Sequence, residues 1–185
     1  MSPRPALPLR LEYVILGLVR RQPVHGYELL QQWNDANQIG IVWHVKPGPL
    51  YSALEKLEQR GYIQAIVVHG DSTPQRKEYH VTPLGEQAFL DWMKTPVSAA
   101  RDFRQDFLSR LFFARDVDQA LVKELISRQE HICQKWLKSL EKQLNSITGF
   151  EQQVLSFRIH QVLGILEWLQ ELPDKNIQIS EGRQA

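Results

Sequence analysis

The 185-residue chain is expected to be mainly α with one small β-hairpin, and three features predict it. Apolar residues recur at helical spacing in segment after segment, from Leu11 to Val19 and again from Leu121 to Leu144. The period becomes strand-like and β-branched in one region, Tyr62 to Val68, and strand character resumes over Arg76 to Val81 beyond a polar loop. Pro96-Val97-Ser98-Ala99-Ala100 then separates this mixed half from a second half that is helical throughout.

Residues 1–8 are proline-rich and are expected to form a flexible arm, since proline and the residue before it both resist helix. Leu11, Val14, Ile15, Leu18 and Val19 predict a first helix that stops before Pro23. In the next segment Gly26 permits a tight turn, and Glu28 lies three residues after His25, as in a capping box. Tyr27, Leu30 and Trp33 continue at helical intervals, so a second helix is expected to reach about Asn37. Ile41 to Val45 is a short β-branched run leading into a third helix, Lys46 to Arg60. There Leu50, Leu54 and Leu57 form an apolar stripe, with Tyr51, Ser52, Glu55, Lys56 and Gln59 on the other side. Pro47 and Pro49 suit its first turn, and Gly61 suits a left-handed close. After the hairpin, Thr82-Pro83 is an N-cap followed by a first-turn proline, and Ala88, Phe89 and Trp92 are the buried side of a fourth helix ending near Pro96.

Helix, helix, helix and hairpin is the winged helix-turn-helix order, in which the third helix enters the major groove and the hairpin lies along the backbone or minor groove. The expected organisation is a flexible arm (1–8), a winged helix domain (9–95), a linker (96–100), a helical dimerisation domain (101–173) and a frayed tail (174–185). In the helical domain Phe103, Phe107, Leu108, Leu111 and Phe112 predict one amphipathic helix. Two long helices follow, one carrying Leu121, Leu125, Ile132 and Trp136, the other Val154, Phe157, Ile165 and Leu169. Three helices cannot enclose all these side chains alone, so the same residues are the candidates for a homodimer seam.

Composition narrows the function. A hydrophobic content of 43% suits a soluble globular fold, and no apolar run approaches the roughly 20 residues of a membrane helix. The N-terminus lacks the apolar middle of a secretion signal, and Cys133 is the lone cysteine, which together point to the cytoplasm. The formal net charge of +1 gives no whole-molecule attraction to nucleic acid, so DNA binding must rest on local charge around Lys46, Lys56, Arg60, Arg76 and Lys77. No enzyme, cofactor or metal is expected. The histidines are scattered without metal-ligand spacing, and there is no Gly-rich phosphate loop and no Gly-x-Ser-x-Gly elbow.

The wording of residues 11–94 resembles the PadR family of bacterial transcriptional regulators. The resemblance is carried by Ile15-Leu16-Gly17-Leu18, His25-Gly26-Tyr27-Glu28-Leu29, and Pro47-Gly48-Pro49-Leu50-Tyr51-Ser52-Ala53-Leu54-Glu55-Lys56-Leu57-Glu58. Gly61-Tyr62-Ile63, Arg76-Lys77-Glu78-Tyr79 and Thr82-Pro83-Leu84-Gly85 follow in the family's order. Two positions depart from the family pattern: Pro49 replaces a hydroxyl residue and Ser52 replaces a proline, which moves a phosphate contact from position 49 to Ser52. The stretch Phe103 to Phe113 is similar to the longer helical C-terminal domain of the subgroup related to virulence activators. The resemblance implies a homodimeric regulator of double-stranded DNA, commonly a repressor, with release by a small aromatic effector in some members.

The candidate DNA-binding residues are Tyr51 and Ser52 for base edges or nearby phosphates, and Lys46, Lys56, Arg76 and Lys77 for the backbone. His25, Gly26 and Tyr27 form a further candidate phosphate contact, against the alternative that Tyr27 packs inside and Gly26 only makes the turn. Trp92, Phe103, Phe107 and Trp136 are the candidate effector-binding aromatics, although aromatics at helical spacing also make ordinary core. A winged helix that binds protein or ligand without touching DNA is the alternative function.

Overall fold

The computed structural model describes residues 10–33, 39–70, 73–144 and 146–172, and the structural statements below concern those residues. The expected arm, the expected tail, the end of the second helix and the tip of the hairpin at 71–72 lie outside them. Helix α1 (Arg10–Arg21) is the centre of the first half: Val14, Ile15, Leu16, Leu18 and Val19 are all buried. Gly17 lets aromatic rings close over it, since a methyl group there would lie 2.6 Å from both Phe89 and Phe113.

Strand β1 (Val24–His25) is not part of the sequence expectation, because a pair of residues shows no period. It exists through pairing, Val24 with Tyr79 and His25 with Glu78. Helix α2 (Gly26–Trp33) starts at once, and the Glu28 carboxylate accepts from the His25 amide at 3.3 Å, as the capping spacing predicts. The β-branched run 41–45 forms no strand. A 3-10 turn, Ile39–Ile41, precedes an extended segment anchored by buried Ile39 and Val45, where the Trp33 indole donates to the Trp43 carbonyl at 2.9 Å.

Helix α3 (Pro47–Gln59) buries Leu50, Leu54 and Leu57 completely and Ala53 almost so. Each leucine contributes about 1.5–3 kcal/mol of transfer free energy, enough to fix which face turns outward. Gly61 closes the helix at φ +69, the left-handed conformation that the sequence predicts. Strands β2 (Ile63–Gly70) and β3 (Thr73–Val81) pair antiparallel from Ile63–Val81 outward, giving the sheet order β1-β3-β2. Helix α4 (Pro83–Lys94) is capped by Thr82, whose hydroxyl oxygen accepts from the Gly85 amide at 3.1 Å and whose proton goes to the Gly61 carbonyl at 2.6 Å.

Between the halves, Val97 is buried and its amide donates to the Gln129 side chain at 2.7 Å. A 3-10 turn (Ala100–Asp102) and a π-helical turn (Phe103–Phe107) lead into α5 (Leu108–Val117). The expected amphipathic helix is therefore corrected: Ser109, Arg110, Leu111, Phe113 and Ala114 are all buried, because α5 is packed against both α4 and α6. Arg110 is accommodated by Asp106 at 3.0 Å, the Thr95 carbonyl and the Trp92 ring at 5.2 Å. Helices α6 (Gln119–Leu144) and α7 (Phe150–Glu171) form a long hairpin, with Gly149 at φ +69 in the break.

Candidate nucleic-acid interface

The N-terminal turns of α3, the start of α2 and the strand β3 surround a cleft of about 620 Å³. Its walls are His25, Gly26, Tyr27 and Glu28 from β1 and α2, Tyr51 and Glu55 from α3, and Arg76, Lys77 and Tyr79 from β3. The sequence candidates Tyr51, Arg76, Lys77, His25, Gly26 and Tyr27 thus share one place although they lie up to 52 residues apart.

Local packing positions each of them. Gly26 carries no side chain because the Tyr51 ring lies against it, and a methyl group there would meet that ring at 2.7 Å. Tyr51 is 43% exposed and Tyr27 64% exposed, so Tyr27 faces outward instead of packing inside. The His25 ring nitrogen Nδ1 donates to the Lys77 carbonyl at 3.0 Å and fixes the hairpin's base against the α2 start. Burial pushes the Tyr79 phenol above its ordinary range, so its hydroxyl stays protonated and able to donate.

The charges are less free than the sequence suggests. Lys56 pairs with Glu12 at 3.0 Å and Lys77 with Glu58 at 3.4 Å. His80 lies 2.7 Å from Glu78. Lys46 is exposed at the N-cap of α3, and Ser52 and Arg76 are exposed. The cleft thus offers phenols from Tyr27, Tyr51 and Tyr79, basic groups from Arg76 and Lys77, and the carboxylates of Glu28 and Glu55, whereas Ser52, Lys46 and Lys56 are not among its walls. Helical spacing places Glu55 beside Tyr51 on the outward side of α3, but nothing in the sequence makes it a contact residue or pairs Glu12 with Lys56. Tyr79 reaches the cleft only through strand pairing.

The other candidates scatter. Trp92 stacks on Tyr13 at 5.4 Å, and Phe103 stacks on Phe107 at 4.4 Å with Trp168 edge-on to both. Trp136 instead lines a separate groove of about 360 Å³ with Arg101, Leu140, Arg158 and Val162. Of the seam candidates, Leu125 and Leu169 are buried inside the protomer, while Leu121, Ile132, Val154 and Ile165 are half-buried and Phe157 is 69% exposed. Burial also raises the Cys133 thiol, which removes it as a nucleophile at neutral pH.

A three-stranded sheet beside a partly exposed third helix, followed by a helical hairpin, defines a winged helix protein with a helical C-terminal region. Residues 15–91 match the Transcriptional regulator PadR-like family, and residues 103–174 match the Virulence activator alpha C-term family. The chain carries a PadR-like transcriptional regulator domain followed by a Virulence activator alpha C-term domain. It is 24% identical to the negative transcriptional regulator PadR of Bacillus subtilis over 79% of this chain and 75% of that protein. It is 26% identical to a probable transcriptional regulator of Mycobacterium tuberculosis over 55% of this chain and 52% of that protein. Among solved structures, Bacillus subtilis PadR in complex with operator DNA is similar at 23% identity and a TM-score of 0.46, covering 88% of this chain and 96% of that one. These relatives are named as transcriptional regulators, in agreement with the expectation that the chain is not an enzyme. Among the described residues no helix is long and apolar enough to cross a membrane.

Proposed function

We propose that the protein is a cytoplasmic, sequence-specific DNA-binding repressor that acts as a homodimer on an inverted repeat. The observation that supports this reading is that Tyr51 of α3, Arg76 and Lys77 of β3 and His25 at the start of α2 line one cleft, with Ser52 exposed beside Tyr51. Helix α3 lies in the major groove, with Tyr51 and Ser52 toward base edges, while Lys46, Arg76 and Lys77 meet phosphates on either side. Lys56, held by Glu12, and Lys77, held by Glu58, act on the backbone only by changing partner. The name of the Bacillus subtilis relative supports repression as the sign of regulation.

Dimerisation follows from α7. Phe150 and Phe157 lie two turns apart on one stripe and are 77% and 69% exposed, with Val154 between them and Gly164 continuing the line into open space. Such a seam is covered by the same stripe of a second copy, and two-fold symmetry then demands a two-fold operator. A small aromatic effector is assigned to the groove at Trp136, where it would act by binding two dimer geometries unequally.

Selection of bound fragments from random DNA tests specificity, symmetry and half-site spacing together. With the selected site, Arg76→Ala and Lys77→Ala are expected each to weaken binding to all sequences and to lower the salt slope by about one. Unchanged slopes in both variants would take the hairpin out of the interface, and failure to bind any duplex at low salt would leave the alternative of a winged helix that binds protein or ligand.

A further inference from the structure

The carboxylate that is out of place on this surface is Glu55. It is exposed on α3 one turn beyond Tyr51, and these two side chains line the same cleft, with Ser52 exposed at the position next to Tyr51. The neighbouring carboxylates are all engaged: Glu12 by Lys56, Glu58 by Lys77, Glu78 by His80, and Glu28 by the His25 amide. Glu55 makes no hydrogen bond or ion pair among the described residues. A free carboxylate that met phosphates would only repel DNA, and with Lys56 committed to Glu12 no free ammonium on this face of α3 offsets it.

We infer, on the basis of the DNA-binding function proposed above, that Glu55 reads a base and determines specificity, accepting a hydrogen bond from the exocyclic amine of a cytosine in the major groove. The chemistry selects the base. Cytosine N4 is a donor without an acceptor on the same base edge, whereas adenine places N7 beside its amine and guanine and thymine offer acceptors at O6, N7 and O4. An ionised carboxylate accepts only, so it favours cytosine and opposes guanine and thymine. Tyr51 and Ser52 lie nearer the N-terminus of α3 and meet the adjoining positions, which leaves Glu55 one defined step in each half-site.

The test compares the unaltered chain with Glu55→Ala and Glu55→Gln, first by selection from random duplexes and then by affinity for operators substituted at each half-site position. The expected result for the unaltered chain is one position where cytosine is preferred by roughly 5- to 150-fold. Glu55→Ala loses that preference there and keeps the others, and Glu55→Gln moves it toward adenine, which glutamine contacts at N6 and N7. A Glu55→Ala protein with an unchanged sequence preference, or one that gains affinity equally for every duplex, overturns the inference and leaves DNA binding standing. An unaltered chain that binds no duplex removes both.

Discussion

A methyl group has nowhere to go at Gly85. Placed there, it would lie 2.0 Å from the carbonyl oxygen of Tyr62 and 2.8 Å from its carbon, and both are backbone atoms that a rotamer change cannot move. The same carbonyl accepts the Thr82 amide at 3.0 Å and so ties the start of α4 to the root of the hairpin. Gly85→Ala must lift α4 off that strand, and the expected loss is about 3 kcal/mol, read from urea unfolding. Equal stability in variant and parent would mean that α4 and the strand approach less closely. The contrast with Gly26 is instructive, since there the neighbour is the Tyr51 ring, a side chain that can swing aside. Both glycines lie in short motifs of the sequence, but only the structure shows that one admits the backbone of Tyr62 and the other the Tyr51 ring of α3.

At the scale of the element, helical periodicity is reliable where one face is wet and misleads where neither is. Helices α3 and α4 and the beginnings of α6 and α7 lie where the apolar spacing puts them. Helix α5 is buried or half-buried on every side from Leu108 to Ala114, because α4 and α6 both cover it, and only its last turn, Arg115 to Val117, is exposed. Helix α7 is the opposite case, with an apolar stripe uncovered within the protomer. Phe157→Glu is expected to convert a dimer to a monomer in sedimentation velocity without loss of helical circular dichroism, since two copies would otherwise set charges face to face in an apolar seam. A Phe157→Glu protein that sediments as a dimer would move the seam elsewhere. Because Leu125 and Leu169 are already buried inside the protomer, the apolar stripe left exposed is narrower than periodicity alone suggests.

Across the whole molecule, one apolar core runs through both halves. Phe89 of α4 meets Phe113 of α5 at 5.3 Å, the Trp43 indole donates to Ser109 at 2.7 Å, Arg10 pairs with Asp102 at 2.6 Å, and Arg21 pairs with Asp116. The 3-10 turn at Ala100–Asp102 and α5 are therefore tied to α1 and α4, α6 packs on both α4 and α5, and α1 in turn supports α3 and β3. Single-transition unfolding of the full chain is expected in calorimetry. A fragment ending at Ser98 loses the cover over Phe89 and Trp92, and about 2–3 kcal/mol of lost burial should lower its midpoint by roughly 10–20 °C. Two resolved transitions in the full chain, with a fragment as stable as the first of them, would show that the halves are energetically separate.

Local pattern was enough for α1, α3, α4, the hairpin, the Thr82 cap, the turn at Gly61 and the outward face of α3, all of which depend on neighbours a few residues away. Spacing and turn chemistry are local quantities, so they can be read locally. Long-range packing was needed to bring Tyr79, His25 and Arg76 to the cleft beside Tyr51, to hold Lys56 and Lys77 with Glu12 and Glu58, and to make Trp92, Phe103 and Phe107 core instead of cavity. Those outcomes depend on which distant segments meet, and the free energy of such a meeting belongs to the pair and not to either stretch of chain.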